Sequence, residues 1–217
     1  MKAISAKNGN VLLRDMEKPE ISNRQILVKT MYSAISPGTE NSMIGSSETD
    51  YVNIGYSAAG VIEKVGSEVT KFKVGDKVAV YGAPFVGHRE YLAVPETLAA
   101  LVPNNVSMAE ASMAGLGAIA IHGLRQANLQ FGEIAVVVGL GIYGQLIAQI
   151  AKNSGLVVLA LNRSEPRVKL LESVSNIECF TDESKMYESL MLHSENHGAD
   201  AVLLCAGGKV SPLTNKS

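Results

Sequence analysis

The chain has 217 residues, of which 47% are hydrophobic and 18% charged, and its formal net charge is −2 at pH 7. This length allows one large domain or two small ones, and the composition is that of a globular protein. There are no runs of like charge, and no window reaches the roughly 18 apolar residues of a membrane span, so neither nucleic acid nor a membrane is expected as partner. The two distant cysteines, Cys179 and Cys205, favour a reducing cytoplasm over a disulfide framework.

The first hundred residues have the pattern of short β-strands separated by turns. Four segments are rich in Val, Ile and Tyr and are bounded by Gly, Pro or Asp: 25–36, 59–66, 76–82 and 89–95. Such segments are typical of antiparallel strands, and no long helical pattern accompanies them. A β-rich domain is therefore predicted over 1–105.

From about residue 106 the pattern alternates between helices and strands. Ser107 and Glu110 form a capping-box signature ahead of an Ala-rich helix. The run IAVVVG predicts a strand buried on both faces, and a helix follows from about Ile142 to Asn153. Further elements are predicted as a strand at 156–161, a helix from near Pro166, a strand at 177–180, a helix around 184–194 and a strand at 200–206. This β-α-β-α-β-α-β order predicts a doubly wound parallel sheet over 106–217.

Three glycines lie between the first strand of this half and its helix. Gly139, Gly141 and Gly144 have the G-x-G-x-x-G spacing directly after a buried strand, which makes the motif specific. In a dinucleotide-binding turn the first glycine permits the bend, the second lets a pyrophosphate approach and the third lets the helix pack closely. In such a turn the N–H groups at the start of the helix, here at Ile142 and Tyr143, face the phosphates. The alternative is that the glycines only ease packing in an α/β protein that binds no nucleotide.

The end of the next strand predicts which nucleotide binds. Sites for NAD place Asp or Glu there, because a carboxylate accepts hydrogen bonds from the ribose hydroxyls. This chain has Asn162 instead, followed by Arg163, Ser164 and, one turn later, Arg167. Guanidinium and hydroxyl groups complement a 2′-phosphate, so the sequence favours NADP(H) over NAD(H). The alternative is that both arginines are solvated residues at the start of a helix.

Two longer segments carry a resemblance to a known family. They are AAGVIEKVGSEVTKFKVGDKVAVYG at 58–82 and HREYLAVPETLAALVPNNVSMAEAS at 88–112, and the glycine turn follows them at 136–155. In this order, over essentially the whole chain, they resemble the medium-chain dehydrogenase/reductase (zinc-type alcohol dehydrogenase) superfamily. Within it, YSAISPGTE and NIGYSAAG resemble the subgroup of bacteriochlorophyllide a dehydrogenase-like proteins.

The resemblance implies a GroES-like catalytic domain over 1–105 joined to a Rossmann domain over 106–217, with cofactor and substrate in the cleft between them. Family members transfer a hydride between a nicotinamide and an alcohol, aldehyde, ketone, enone or quinone, while the protein aligns the reacting atoms. The expected function is therefore that of an NAD(P)-dependent dehydrogenase or reductase acting on a small molecule. The resemblance also implies that Ala206 and Gly207 flank the cofactor.

The metal ligands of zinc-dependent members of the family are replaced in this chain. By the resemblance, Ser36 stands where a cysteine is expected, Gly55–Ser57 replaces Gly-His-Glu, and no cysteine lies near Ala114. Hydroxyl groups and an alanine cannot hold zinc as thiolates and imidazoles do. The lobe of four closely spaced cysteines that holds structural zinc is absent too. No metal is therefore expected, and the predicted enzyme is zinc-independent.

Without a Lewis acid, either protein side chains stabilise the charge on the substrate oxygen or the substrate needs little such help. Thr39 takes the place of a proton-relay hydroxyl in the family, and Tyr56 is expected to point its phenol into the vacated metal position. Ser36 is the third candidate by its position. The alternatives are that Tyr56 only fills space left by the metal, that Thr39 caps a turn and that Ser36, before a proline, begins one.

The chain ends shortly after the strand at 200–206, where family members continue with further strands. It is expected to be either a piece of a longer polypeptide or a shortened natural form. A homo-oligomer stays open, although the strand through which relatives often dimerise is missing. The main alternative to an active enzyme is a nucleotide-binding remnant without turnover. A methyltransferase also uses a glycine-rich turn, but it wants an acidic residue where Asn162 stands and lacks a GroES-like half.

Overall fold

The computed structural model describes residues 1–206, and the chain divides into two compact units, Met1–Leu116 and Gly117–Ser217. The helices are α1 (Pro37–Gly45), α2 (Met108–Ala111), α3 (Ala114–Ala127), α4 (Ile142–Asn153), α5 (Glu165–Val174) and α6 (Glu183–His193), with a 3₁₀ turn at Glu96–Leu98. The strands are β1 (Lys2–Lys7), β2 (Asn10–Asp15), β3 (Gln25–Ser33), β4 (Val52–Asn53), β5 (Ser57–Val65), β6 (Lys77–Tyr81), β7 (Tyr91–Pro95), β8 (Ala99–Leu101), β9 (Ile134–Val138), β10 (Val157–Leu161), β11 (Glu178–Phe180) and β12 (Ala201–Leu204). In this part of the chain no helix has the length and apolar character to cross a bilayer.

The first unit contains two antiparallel sheets, as the strand pattern predicts. β2, β1 and β4 form the smaller sheet, and the larger one has the strand order β7-β3-β5-β6-β8. Alternate residues of β6 and β7 are buried, which is the period of strands that cover a core with one face. That core is built from nine buried side chains: Ile26, Val28, Ala58, Ile62, Val78, Val80, Val86, Leu92 and Val94.

Helix α1 lies where the sequence predicts the end of a strand. The strand predicted over 25–36 stops at Ser33, and α1 begins at Pro37, whose missing N–H group costs nothing in a first helical turn. Its only buried residue is Glu40. A helix that buries a carboxylate and no apolar side chain has no amphipathic pattern, so its sequence gives no helical signal.

The boundary between the units lies inside α3, beyond the position predicted near residue 105. The capping box is present, because Oγ of Ser107 accepts a hydrogen bond from N of Glu110 and the Glu110 carboxylate accepts one from N of Ser107. The helix that it begins is only one turn long, however. Its residues Met108 and Ala111 pack against Ala59 of β5. This contact makes α2 part of the β-rich unit.

The second unit is the doubly wound parallel sheet that the sequence predicts, with the strand order β11-β10-β9-β12. All five residues of the central strand β9 are buried. Ala135 and Val137 face a core shared with α4 and α5, whereas Val136 and its neighbours on the other face pack with α6. The order of the strands reverses beside β9, so its carboxyl end is the switch point at which open α/β sheets bind ligands.

Candidate functional site

The glycine turn lies at the carboxyl end of β9, and its first glycine is required by the backbone. Gly139 has a φ of +94°, a backbone conformation that residues other than glycine rarely adopt. A Cβ atom there would lie 2.7 Å from the backbone nitrogen of Ala206, so the turn also passes too close to the end of β12 for a larger residue. Ala206 thus lies beside the glycine turn, and its contact with the cofactor stays a prediction, whereas Gly207 lies outside the described residues.

The other two glycines of the turn differ in what surrounds them. A Cβ atom on Gly144 would collide with the carbonyl oxygen of Gly139, so glycine is needed for the first turn of α4 to pack this closely. Gly141 has open space within 4 Å of the position of a Cβ atom. It is the N-cap residue of α4, and no side chain caps the helix. The N–H groups of Ile142 and Tyr143 belong to this first turn, beside the open space at Gly141, and the start of a helix is a place where anions bind.

Asn162 braces the glycine turn. Its Oδ1 accepts a hydrogen bond from the backbone N–H of Leu140 at 3.1 Å, and its Nδ2 donates to the carbonyl oxygen of Ser164 at 3.2 Å. The amide thus links the turn after β9 to the segment after β10. A carboxylate at this position offers only acceptors, and it cannot make the second of these bonds.

The segment after β10 presents positive and polar groups at the beginning of α5. Arg163 and Arg167 are exposed, and neither forms a salt bridge within the described residues. Ser164 is the N-cap residue of α5, but its side chain does not cap the helix. The one acidic residue of the first turn, Glu165, is paired with Lys169 at 2.7 Å. The start of α5 therefore combines unpaired guanidinium groups, a hydroxyl and the positive end of a helix dipole.

Cys205 lies beside the same turn. Its Cβ atom is 3.4 Å from the position of a Cβ on Gly144. Burial raises the pKa of the Cys205 thiol to about 11, so the group is neutral at physiological pH. A neutral thiol does not repel the phosphates of a nucleotide, whereas a thiolate at this position would.

The three side chains predicted to act on the substrate lie in the first unit, and they differ in exposure. Ser36 is 1% exposed, and its Oγ is buried without a hydrogen-bond partner. Thr39 is exposed in the first turn of α1. Tyr56 is half-buried, and its ring packs edge-on against Tyr81 with the two centroids 5.8 Å apart. Solvent thus reaches Thr39 and Tyr56 but not the hydroxyl of Ser36.

A buried hydrogen-bonded chain, which the sequence did not reveal, runs beside these residues. Oε2 of Glu40 lies 2.9 Å from Nε2 of His88, and Nδ1 of His88 lies 2.8 Å from Oγ of Ser33. The other carboxylate oxygen of Glu40 accepts a hydrogen bond from the backbone N–H of Ser36 at 2.7 Å. The side chains of His88 and Glu40 are only 6% and 5% exposed. This chain fixes the segment that carries Ser36 and Thr39 to the strand β3.

The glycine next to Tyr56 makes room for this chain. Gly55 has a φ of +86°, and a Cβ atom there would lie 2.8 Å from the imidazole ring of His88. The packing of His88 therefore requires a glycine at position 55 of the Gly-Tyr-Ser sequence. The sequence gives only a weak signal for the contact between His88 and Glu40, since the two residues are 48 positions apart and His88 belongs to no motif.

The hydroxyl of Ser57, in the segment that replaces the Gly-His-Glu of the family, is engaged in two hydrogen bonds. Oγ of Ser57 donates to the carbonyl oxygen of Ser112 at 2.5 Å and accepts from N of Gly115 at 3.1 Å. A Cβ atom on Gly115 would collide with Ser57 and Tyr81, so this packing has no room for a cysteine there. Among residues 1–206, no three His, Cys, Asp or Glu side chains form a group that could hold a metal ion.

A four-stranded doubly wound sheet with an open glycine turn at its switch point, preceded by an antiparallel β unit, is the architecture of the two-domain nicotinamide-dependent dehydrogenases. Residues 22–120 match the family model of the alcohol dehydrogenase GroES-like domain. The chain belongs to the medium-chain dehydrogenase/reductase superfamily.

Individual relatives agree with this assignment. The 2-methylene-furan-3-one reductase of Solanum lycopersicum is 33% identical over 218 residues, which span 90% of this chain and 56% of the relative. The chloroplastic NADPH-dependent alkenal/one oxidoreductase of Arabidopsis thaliana is 33% identical over 171 residues, which span 72% of this chain and 44% of the relative. The quinone oxidoreductase from Coxiella burnetii has the same fold, with a TM-score of 0.82 and 23% identity over 100% of this chain and 72% of that one. The chain thus spans about half the length of these two plant relatives.

Proposed function

We propose that this chain is a zinc-independent oxidoreductase that prefers NADP(H) and transfers a hydride between the nicotinamide and a small alcohol, carbonyl or quinone-type substrate. The observation that carries the proposal is the open space at Gly141 at the start of α4, beside a second helix start that carries Arg163 and Ser164. The name of the Arabidopsis relative, which includes NADPH, supports the choice of cofactor.

The residues at these two helix starts have separate roles in holding the cofactor. The backbone N–H groups from Gly141 to Gly144 receive the pyrophosphate, because they lie at the positive end of α4 beside the open space at Gly141. The guanidinium of Arg163 and the hydroxyl of Ser164 bind the 2′-phosphate, and Arg167 adds positive charge one turn later. Asn162 positions the turn through its two backbone hydrogen bonds. Gly207, which follows Ala206, stays a proposed cofactor contact.

The nicotinamide, when bound, supplies or accepts the hydride, and the side chains of the first unit act on the substrate oxygen. The exposed hydroxyl of Thr39 and the half-buried phenol of Tyr56 are the proposed donors, because a developing oxyanion is stabilised by fixed hydrogen-bond donors. Ser36 contributes as a positioning residue, since its backbone N–H holds Glu40 while its own hydroxyl is enclosed. The two plant relatives are named for a methylene-furanone and for alkenals or alkenones, so we place conjugated carbonyl compounds first among the substrates.

The cofactor preference is tested by Arg163→Ala. We expect the Kd for NADPH, measured by fluorescence titration, to rise about tenfold, because one charge-assisted hydrogen bond to phosphate is lost. The Kd for NADH should not change. Arg125→Ala is the matched control, since Arg125 is also an exposed helical arginine. An unchanged affinity for NADPH, or an equal loss for both cofactors, would contradict the assignment of Arg163.

The claim of zinc independence has its own measurement. Elemental analysis of the purified protein should find no zinc at the level of one ion per chain, and consumption of NADPH with enone or quinone substrates should survive treatment with a chelator. Stoichiometric zinc would overturn this part of the proposal.

The two free cysteines, Cys179 and Cys205, support a reducing cytoplasm as the location.

The second candidate is a protein that binds the dinucleotide without turnover. It is favoured by the burial of Ser36, since one of the three proposed hydroxyl groups cannot reach a substrate in this conformation. The same titration separates the two candidates, because binding of NADPH without oxidation in the presence of any carbonyl or quinone substrate would support the second.

A further inference from the structure

The smaller sheet of the first unit brings two arginines onto one face. Ala3 in β1 pairs with Arg14 of β2 on one side and forms an isolated β-bridge with Arg89 on the other. Residues directly opposite each other on neighbouring strands point their side chains to the same face. Ala3 is 1% exposed, so its small side chain is covered and the two long side chains rise on either side of it.

Two cations lie against the ring of a tyrosine next to this sheet. The Cζ atom of Arg14 lies 4.5 Å from the ring centroid of Tyr51, and Nζ of Lys7 lies 4.6 Å from the same centroid. Lys7 is four residues after Ala3 in β1, so it lies on the same face as Arg14. We call Lys7, Arg14, Arg89 and Tyr51 the cation cluster.

The positive charge of the cation cluster is not balanced by a carboxylate. No acidic side chain lies within 4.0 Å of any of its three cations in residues 1–206. The nearest acid along the strand, Asp15, is on the opposite face and is paired with Lys2 at 2.8 Å. Burial, and secondly the positive charge of Arg14, lowers the pKa of Arg89. Like charges held together at a part-buried place are unfavourable unless an anion accompanies them.

The hydrogen bonds of the two arginines are incomplete in the same way. Nη2 of Arg89 donates to the carbonyl oxygens of Pro84 and Phe85, at 3.0 and 3.1 Å, and Nη2 of Arg14 donates to Sδ of Met16 at 3.3 Å. The Nε atoms of both arginines are buried and have no acceptor. These contacts hold the guanidinium groups in place through one amino group each and leave further donors unused. The Nε atoms are enclosed, so the remaining N–H donors of the terminal amino groups are the ones that a bound oxyanion can reach.

We propose that the cation cluster binds a phosphate group. Three cations match the double negative charge of a phosphate monoester better than the single charge of a carboxylate, and guanidinium groups bind phosphate through paired hydrogen bonds. The terminal amino groups of Arg14 and Arg89 make the contacts, and Lys7 adds charge from beside the Tyr51 ring. The site belongs to the first unit, so it is separate from the phosphate-binding groups proposed at the glycine turn in the second.

Calorimetric titration with inorganic phosphate, in dinucleotide-free buffer at constant ionic strength, tests the proposal. Phosphate should bind to the wild-type chain more tightly than chloride does. Arg14→Gln and Arg89→Gln should each weaken the binding of phosphate about tenfold, which corresponds to the loss of one charge-assisted pair. Arg125→Gln is the matched control, because it removes the same charge from an exposed helical position outside both proposed phosphate sites and should leave this binding unchanged. A parallel titration with glycerol 3-phosphate distinguishes the source, since tighter binding of the ester indicates a phosphorylated small molecule and tighter binding of inorganic phosphate indicates the free ion.

Two results would overturn the proposal. One is that neither phosphate nor the ester binds the wild-type chain. The other is that binding is lost in Arg163→Gln but kept in Arg14→Gln and Arg89→Gln, because phosphate would then occupy the cofactor site. Should the two buried variants unfold, Lys7→Gln replaces them, since Lys7 makes no buried hydrogen bond; it should weaken binding about two- to fivefold, and unchanged binding would count against the site. Failure of this test leaves the affinity for NADPH untouched, so the two proposals are judged separately.

Discussion

Replacing Glu40 with alanine tests the buried chain Ser33–His88–Glu40 most sharply. The carboxylate accepts two hydrogen bonds, from the backbone N–H of Ser36 at 2.7 Å and from Nε2 of His88 at 2.9 Å. The side chain is 5% exposed, so solvent cannot replace either partner. Glu40→Ala therefore leaves a backbone N–H group and an imidazole N–H group buried without acceptors.

The size of the effect follows from these two bonds. A hydrogen bond to a charged group contributes about 1.5–3 kcal/mol, so the two together give about 3–6 kcal/mol. A buried donor left without its acceptor costs about 1–3 kcal/mol, so the two donors released here give about 2–6 kcal/mol. We expect the free energy of unfolding of the first unit to fall by about 3–5 kcal/mol. Glu40→Gln keeps the shape and one acceptor, so it should cost less than half as much.

Urea denaturation followed by tyrosine fluorescence measures this loss. The chain has no tryptophan, and five of its seven tyrosines lie in the first unit, so the signal reports mainly on that unit. Glu63→Ala is the control, because Glu63 forms an exposed ion pair with Lys18 in the same unit and its loss should change the free energy of unfolding only slightly. In a double-mutant cycle, Glu40→Ala and His88→Ala should couple by about 1–3 kcal/mol.

A loss for Glu40→Ala no larger than that of the exposed control would refute this reasoning. The buried chain would then not hold the segment 33–40, and the proposed positions of Ser36 and Thr39 would lose their support. Additive effects of the two substitutions would likewise show that Glu40 and His88 do not act as a pair.

Three further predictions follow from local geometry. Gly141→Ala should change the free energy of unfolding by less than about 1 kcal/mol but weaken NADPH binding, because its methyl group enters the open space where the pyrophosphate approaches. Gly144→Ala should instead destabilise the second unit, because its methyl group clashes with the turn. Equal stability of the two variants would contradict this prediction. Alkylation of Cys179 and Cys205 by iodoacetamide should accelerate about tenfold per pH unit from neutral pH and level off only near pH 11, since burial raises the pKa of both thiols to about 11 and the reactive thiolate is the disfavoured form; a plateau near pH 9 would refute it. Ser107→Ala should cost about 1 kcal/mol in urea denaturation by removing the capping box, and no loss would show that α2 does not need its cap.

The second unit was predictable because its signals are local. The apolar run of β9 is buried on both faces, and α4 has the predicted limits, Ile142 and Asn153, because its apolar stripe and the following Gly155 mark them. The glycine turn was found for the same reason, since all three glycines lie within six residues of each other. In the first unit, β2 was missed, because four of its six residues in a row are exposed and the strand shows no alternation.

The candidate site of the first unit depends on distant contacts, which one sequence does not reveal. His88 and Glu40 meet only in the folded unit, since His88 precedes β7, which pairs with β3, and Glu40 lies in α1, which follows β3. Neither residue has a motif of its own. Asn162 is a second case. Its position at the end of β10 was predicted, but its hydrogen bond to Leu140 follows from how the two loops approach, so its bracing role became visible only in the structure.

The backbone amide spectrum of ¹⁵N-labelled protein, recorded during titration with NADPH, tests the central claim most directly. Binding at the glycine turn predicts the largest chemical-shift changes at the amides of 140–144, a second set at Arg163 and Ser164, and smaller changes at the second set when NADH replaces NADPH. Unchanged amides at 140–144 in the presence of saturating NADPH would contradict the account.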